Sequence, residues 1–314
     1  MSPTNSSTSA QAIRVVLDCD TKNEIDDQMA IAYALGCNAI DVVGVVSVQN
    51  TVASGPDSLA IYHEEAERIV ALSGVMDVPC RRGANRPMEH IDDVVASEGL
   101  DFLIAAGEQG PLTLLATGPA TDVAAFVQVA PQAVQENVHI VWAGAFPDAD
   151  TWNAHKFGEL NARADIAAWR RVYRSAVNLT VLPGWPAVEK VRMPWQACVA
   201  NFRDLHTPLG EYLAELVTEY VASRRAMDMD VERSSYKVLW DIVNVALISI
   251  PDAVPLTSLA LPDVDPAGVP SWDAASGRRA PFAMDVDAPA ILADFWSALR
   301  DLSRRSDEPT RSDS

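Results

Sequence analysis

Short runs of β-branched and aliphatic residues alternate along the chain with longer stretches whose apolar positions recur at helical spacing. Ile13 to Cys19 (IRVVLDC) is a near-continuous apolar run of the kind that sits in a buried parallel strand. Asp26 to Leu35 (DDQMAIAYAL) reads as a helix, with two acidic residues at its start where the helix dipole favours them. Ile40 to Val48 predicts a second strand, Ser58 to Leu72 a helix and Val78 to Arg81 a short strand. Leu112 to Thr117 predicts another strand, stopped by Gly118-Pro119, with a helix opening near Thr121-Asp122. Strands are expected at Val138 to Ala143 and Val177 to Leu182. Helices are expected around Ile166 to Tyr173, Leu209 to Arg225, Val238 to Ile248 and Ala288 to Leu299. This β-α-β order predicts an α/β fold: a mostly parallel, mixed central sheet with helices on both faces. Neither a repeat nor a long linker divides the chain. One domain is expected over residues 13–302, between polar tails at 1–12 and 303–314 that are expected to be disordered.

The 314 residues suffice for one large core. No apolar run is long enough for a membrane span. Met1 to Gln11 lacks the basic start and apolar centre of a secretory signal. A formal net charge of −19 argues against a nucleic-acid polymer or an anionic membrane as partner, since both call for basic patches. The four cysteines, Cys19, Cys37, Cys80 and Cys198, form no CxxC pair, and no His stands at zinc spacing from them. A reduced, cytoplasmic setting is expected.

In sheets of this kind, ligands bind beyond the carboxyl ends of the strands. Those ends carry Asp18-Cys19-Asp20, Gln49-Asn50 and Thr117, and the Val138 strand leads into a loop bearing Asn153, Glu159 and Asn161. The densest chemistry is VVLDCDTKNEIDD, Val15 to Asp27. Its aspartates Asp18, Asp20, Asp26 and Asp27 repel one another in a partly dry cleft and call for a positive partner. An all-oxygen set without His or Cys suits a hard cation, Ca²⁺ before Mg²⁺. Capping a helix needs one Asp, not four. An apolar strand ending in Asp-x-Asp-Thr is also the nucleophile motif of HAD phosphatases, in which Asp18 would attack phosphorus and Asp20 would act as acid. That reading also needs a well-placed Lys and a further acidic pair. The chain has only Lys22, Lys156, Lys190 and Lys237, and no such pair stands beside one.

Taken in order, the motifs resemble those of the inosine–uridine-preferring nucleoside hydrolase family. They are Asp18, Asp20, Asp26 and Asp27 at the first strand, Asn50 at the second and Thr117-Gly118-Pro119. Asn153, Glu159-Leu160-Asn161 and Asp165 follow, then Trp240-Asp241. The resemblance covers residues 13 to 250. It implies an N-glycosyl hydrolase of nucleoside salvage that cleaves a ribonucleoside to free base and ribose, with a homodimer or homotetramer as the expected assembly. It further implies that Asp20, Asp27, Asp241 and the carbonyl of Thr117 hold Ca²⁺, and that Asp20 takes a proton from the calcium-bound water. Asp26, Asn50, Asn153, Glu159 and Asn161 would bind the ribose hydroxyls, and Asp18 would support the cluster from behind.

Two departures stand out. Many relatives place a His before the last metal-binding Asp, where it can protonate the leaving base. This chain has Trp240, whose indole is no acid. A Trp here resembles the purine-preferring branch, where aromatic rings sandwich the base, so purine nucleosides are the expected preference. Trp152, Trp185 and Tyr236 are candidate stacking partners, and Arg86 and His90 further candidates to touch the base. The second departure is the stretch from Asp20 to Asp26, two residues longer than the common family form. Its Lys22, Asn23 and Glu24 are expected in a solvated turn, with substrate contact as the alternative. A binding protein that kept the metal site and lost turnover is the alternative outside enzymes.

Overall fold

The computed structural model describes residues 11–227, 235–272 and 277–307. Eight strands form the central sheet: β1 (Ile13–Cys19), β2 (Ile40–Ser47), β3 (Cys80–Arg82), β4 (Leu112–Ala116), β5 (Val138–Ala143), β6 (Asn178–Leu182), β7 (Leu256–Ala260) and β8 (Arg279–Ala283). Their order across the sheet is β3-β2-β1-β4-β5-β6-β8-β7. All neighbours run parallel except β7, which lies antiparallel to β8 at the edge. The expected mixed, mostly parallel sheet is therefore present.

Side-chain alternation along β1 sorts the two cores. Val15, Leu17 and Cys19 face helices α1 (Asp26–Gly36), α2 (Ser58–Ser73), α6 (Pro208–Ala226), α7 (Ile242–Ser249) and α8 (Ala288–Asp307). Val16 faces α3 (Glu98–Glu108), α4 (Thr121–Val129) and α5 (Ile166–Arg174) on the other side. With both faces covered, the strands read as continuous apolar runs. Helix α1 is buried along its whole length, consistent with its weak polar face. Gly36 at its end lies so close to α8 that an added Cβ would stand 2.3 Å from the Ala298 carbonyl oxygen.

Several boundaries differ from the sequence expectation. Val238 belongs to a short strand, Tyr236–Val238, paired with Arg192–Pro194, and α7 begins only at Ile242. The intervening residues Leu239 to Asp241 thereby form a connector into the site. Helix α8 continues to Asp307, past the expected end of order at 302, because Leu302 is buried and the Ser303 hydroxyl bonds the Leu299 carbonyl. The remainder of the C-terminal tail and residues 1–10 lie outside the described residues. Among the described residues, no helix is long and apolar enough to cross a membrane.

Candidate active site

The strand order reverses between β1 and β4, and the loops leaving these strands diverge to opposite faces. A crevice opens at such a switch point, outside the carboxyl ends. Asp18 and Asp20 close β1, and Thr117 follows β4. The backbone N–H of Thr117 bonds the Asp18 carbonyl at 2.8 Å, locking the two ends together. Gly118 makes that approach possible: a Cβ there would stand 2.6 Å from Val48 Cγ1 and 3.1 Å from the Asp20 nitrogen.

Asp20 is buried, and its Oδ2 accepts from Asn50 Nδ2 at 2.6 Å and from Asn23 Nδ2 at 3.0 Å. Burial pushes its carboxyl up to about 7, against the lowering effect of these amides. Asp27, in the first turn of α1, accepts from the Thr117 hydroxyl at 2.6 Å. Burial, then Asp20 and Asp26, push Asp27 well above the ordinary carboxylate range. Asp241 is raised by burial and by Asp26, Asp27 and Asp20. Asp18 is raised by burial, then by Asp122, Asp20 and Asp27, and among the described residues neither of its side-chain oxygens has a hydrogen-bond partner.

Asp26, in the same cluster, has partners of its own. Its Oδ2 accepts from the backbone N–H of Trp240 at 3.2 Å, and its Oδ1 lies 3.4 Å from Lys237 Nζ. Lys237 is almost wholly buried and pairs at 2.7 Å with Glu24, which also meets Arg224 at 3.1 Å. The longer loop after Asp20 is thus not a solvated turn. Asn23 holds Asp20, and Glu24 anchors the loop to α6 and to the 236–238 strand; only Lys22 is exposed.

Glu159 and Asn161 complete the opposite wall. Asn161 Nδ2 donates to the carbonyls of Thr117 and Ala143, at 2.6 and 2.9 Å. Burial pushes Glu159 up to about 7, although its carboxylate accepts from the backbone of Asn161 and Ala162. Asn153 is exposed on the Ala149–His155 helix, and among the described residues no hydrogen bond draws it toward the carboxylates.

An aromatic row borders the crevice. The Trp185 ring lies 5.2 Å from Trp240 and is stacked on His155 at 4.3 Å, with 6° between the planes. Of the three proposed partners of Trp240, Trp185 is the one in contact. Trp152 packs instead on Phe146, and half-exposed Tyr236 lies under Arg192. Arg86 is committed to Asp93, and His90 is exposed. His155 was not singled out from the sequence, because nothing local marks its contact with a ring thirty positions away.

The expected metal donors are all oxygens: Asp20, Asp27 and Asp241, close enough to raise one another, and the Thr117 carbonyl, which accepts from Asn161. Among the described residues, no three carboxylate, imidazole or thiolate groups are already gathered as a metal cage, and Asp20 is instead engaged by amides. Yet three mutually repelling buried carboxylates, above an Asp18 with two unpartnered oxygens, form a set whose charge a hard divalent cation would offset.

The profile described as "Inosine-uridine preferring nucleoside hydrolase" matches residues 15–293, and the chain belongs to that family of ribonucleoside-cleaving N-glycosyl hydrolases. This disposes of the phosphatase reading of Asp18. The pyrimidine-specific ribonucleoside hydrolase RihA of Shewanella woodyi is 24% identical over 235 residues, covering 67% of this chain and 72% of its own. The purine-preferring ribonucleoside hydrolase from Gardnerella vaginalis superposes with a TM-score of 0.71 at 22% identity, over 93% of this chain and 99% of its own. The inosine-uridine preferring nucleoside hydrolase from Bacillus anthracis gives a TM-score of 0.69 at 16% identity, over 92% and 99%.

Proposed function

We propose that this chain hydrolyses a ribonucleoside, purine nucleosides in preference, with Asp20 as general base and Ca²⁺ as its metal. One observation carries the reading: the buried Asp20 carboxylate is held in a fixed orientation by the amides of Asn50 and Asn23, as a group that accepts a water proton must be. Asp20, Asp27, Asp241 and the Thr117 carbonyl would hold the cation. Bound there, Ca²⁺ would position a water and increase its acidity.

In the reaction, water oxygen bonds to C1′ and gives a proton to Asp20, while the C1′–N bond breaks and its electron pair leaves with the base. Positive charge builds on the sugar ring as that bond stretches. Asp26, Glu159 and the side chains of Asn50, Asn153 and Asn161 are assigned to the ribose, where carboxylates stabilise the developing charge. Asn161 has its Oδ1 free of the two bonds that fix its amide. Asn50 also donates to Asp20 and accepts from the Ala53 N–H, so beside its ribose assignment it holds the Asp20 carboxylate in place. Discrimination against deoxyribose follows, because a missing hydroxyl strands buried polar groups.

The Trp185–Trp240 pair supports the purine preference, since a wide base offers more stacking area. The relatives' names point both ways, one pyrimidine-specific and one purine-preferring. Competition between inosine and uridine tests it, with a higher kcat/KM for inosine expected and equal values fatal to it. A homo-oligomeric assembly is proposed on the resemblance alone and is checked by light scattering.

A further inference from the structure

We propose that His155 gives the leaving base its proton in this chain, doing from the Ala149–His155 helix what Trp240 cannot do from the head of α7. The inference rests on the ribonucleoside-hydrolase reading and adds a catalytic group to it.

A closed circuit of contacts places His155. Trp240 is tied through its backbone N–H to Asp26. Its ring meets Trp185, and Trp185 stacks on His155. The His155 carbonyl accepts the backbone N–H groups of Gly158 at 2.8 Å and Glu159 at 3.2 Å. Glu159 accepts from the Asn161 backbone, and Asn161 bonds the Thr117 carbonyl, which returns the circuit to Asp27 through the Thr117 hydroxyl. The carboxylates and amides form the polar arc of this circuit. The three rings form the other arc, the apolar side of the circuit. Gly158 keeps the circuit tight: a Cβ there would stand 3.2 Å from the Trp185 ring.

The chemistry of the arc has one candidate acid. Indole N–H is not a useful proton donor, whereas imidazole gains and loses a proton readily near neutral pH. His155 is half-buried and stacked by one face only, and its ring nitrogens have no hydrogen-bond partner among the described residues. The other imidazoles are placed elsewhere. His63 faces Glu67, His139 bonds Thr180 on the sheet, and His90 and His206 are exposed, with no ring contact among the described residues. As the C1′–N bond breaks, its electron pair goes to the base, and the imidazolium proton of His155 passes to a ring nitrogen of that base. Neutral His155 then regains a proton from solvent, to which its half-exposed edge is open.

The test compares inosine with p-nitrophenyl riboside, whose phenolate leaves without a proton. Both are assayed on the same preparation of the calcium-loaded full chain, so any loss of folded protein cancels in the ratio of kcat/KM values. His155→Gln is expected to lower the inosine-to-nitrophenyl ratio by about 100-fold, the lower range of general-acid contributions. An unchanged ratio overturns the proposal, even if both rates fall, because a packing role for His155 would affect both substrates alike. Wild-type protein that cleaves the nitrophenyl riboside but no nucleoside overturns it too. Wild-type protein that cleaves neither overturns the hydrolase reading itself.

Discussion

Asn50 allows Asp20 to be tested without removing it. Its amide lowers the Asp20 carboxyl against the upward push of burial. Asn50→Ala removes that bond, so the Asp20 carboxyl rises further. The acid limb of the pH–rate profile is expected to move to higher pH, with kcat reduced roughly 10- to 100-fold by the loss of orientation. A limb that stays in place would separate Asn50 from the base. Gly118→Ala drives a methyl against Val48 and the Asp20 nitrogen, and turnover is expected to fall with it. Residues of this kind divide sharply in how legible they were. Asp18, Asp20, Asp26 and Asp27 were plain in the sequence, because four carboxylates in ten positions violate ordinary local preference. His155 was not, because its environment is made by a ring from another segment.

The extended loop after Asp20 is the element that most changes between sequence and structure. Its Glu24 meets Lys237 across 213 positions of sequence, a contact no local pattern announces. Lys237 in turn keeps a cation beside Asp26 within an otherwise acidic crevice, and burial of its ammonium is offset by Asp26 and Glu24. Lys237→Met leaves those two carboxylates without it and is expected to destabilise the fold by on the order of 3 kcal/mol. The double variant Lys237→Met, Glu24→Gln is expected to recover part of this, as read by urea denaturation; additive losses would show that the pair is not coupled. Strands β1, β2, β4, β5 and β6 were legible because buried parallel strands write themselves as apolar runs. Strands β7 and β8 were not. β7 is half-exposed at the sheet edge, β8 carries Pro281, and neither shows a clear period.

At the scale of the whole molecule, the carboxylates outside the proposed metal set still tie stability to pH. Burial holds Glu159 at about 7 and Asp122 at about 6, both above their unfolded values. The folded state therefore binds more protons than the unfolded chain between about pH 4 and 7. The stability linked to these groups is present in full below the unfolded range and is lost as pH rises through 6 to 7. In chelator, the melting temperature is expected to be higher at pH 5 than at pH 8; the reverse order would contradict these assignments. The parallel sheet with its switch between β1 and β4 follows from the β-α-β pattern, but the meeting of Asp20, Thr117, Asn161, Trp240 and Asp241 in one crevice depends on contacts across more than two hundred residues. The most direct measurement of the account is free ribose released from inosine and uridine by the full chain, in calcium and after chelation, beside Asp20→Ala. The expected result is ribose release that requires calcium and falls at least about 1,000-fold in Asp20→Ala. No release from any nucleoside, or release indifferent to both chelation and Asp20→Ala, would contradict it.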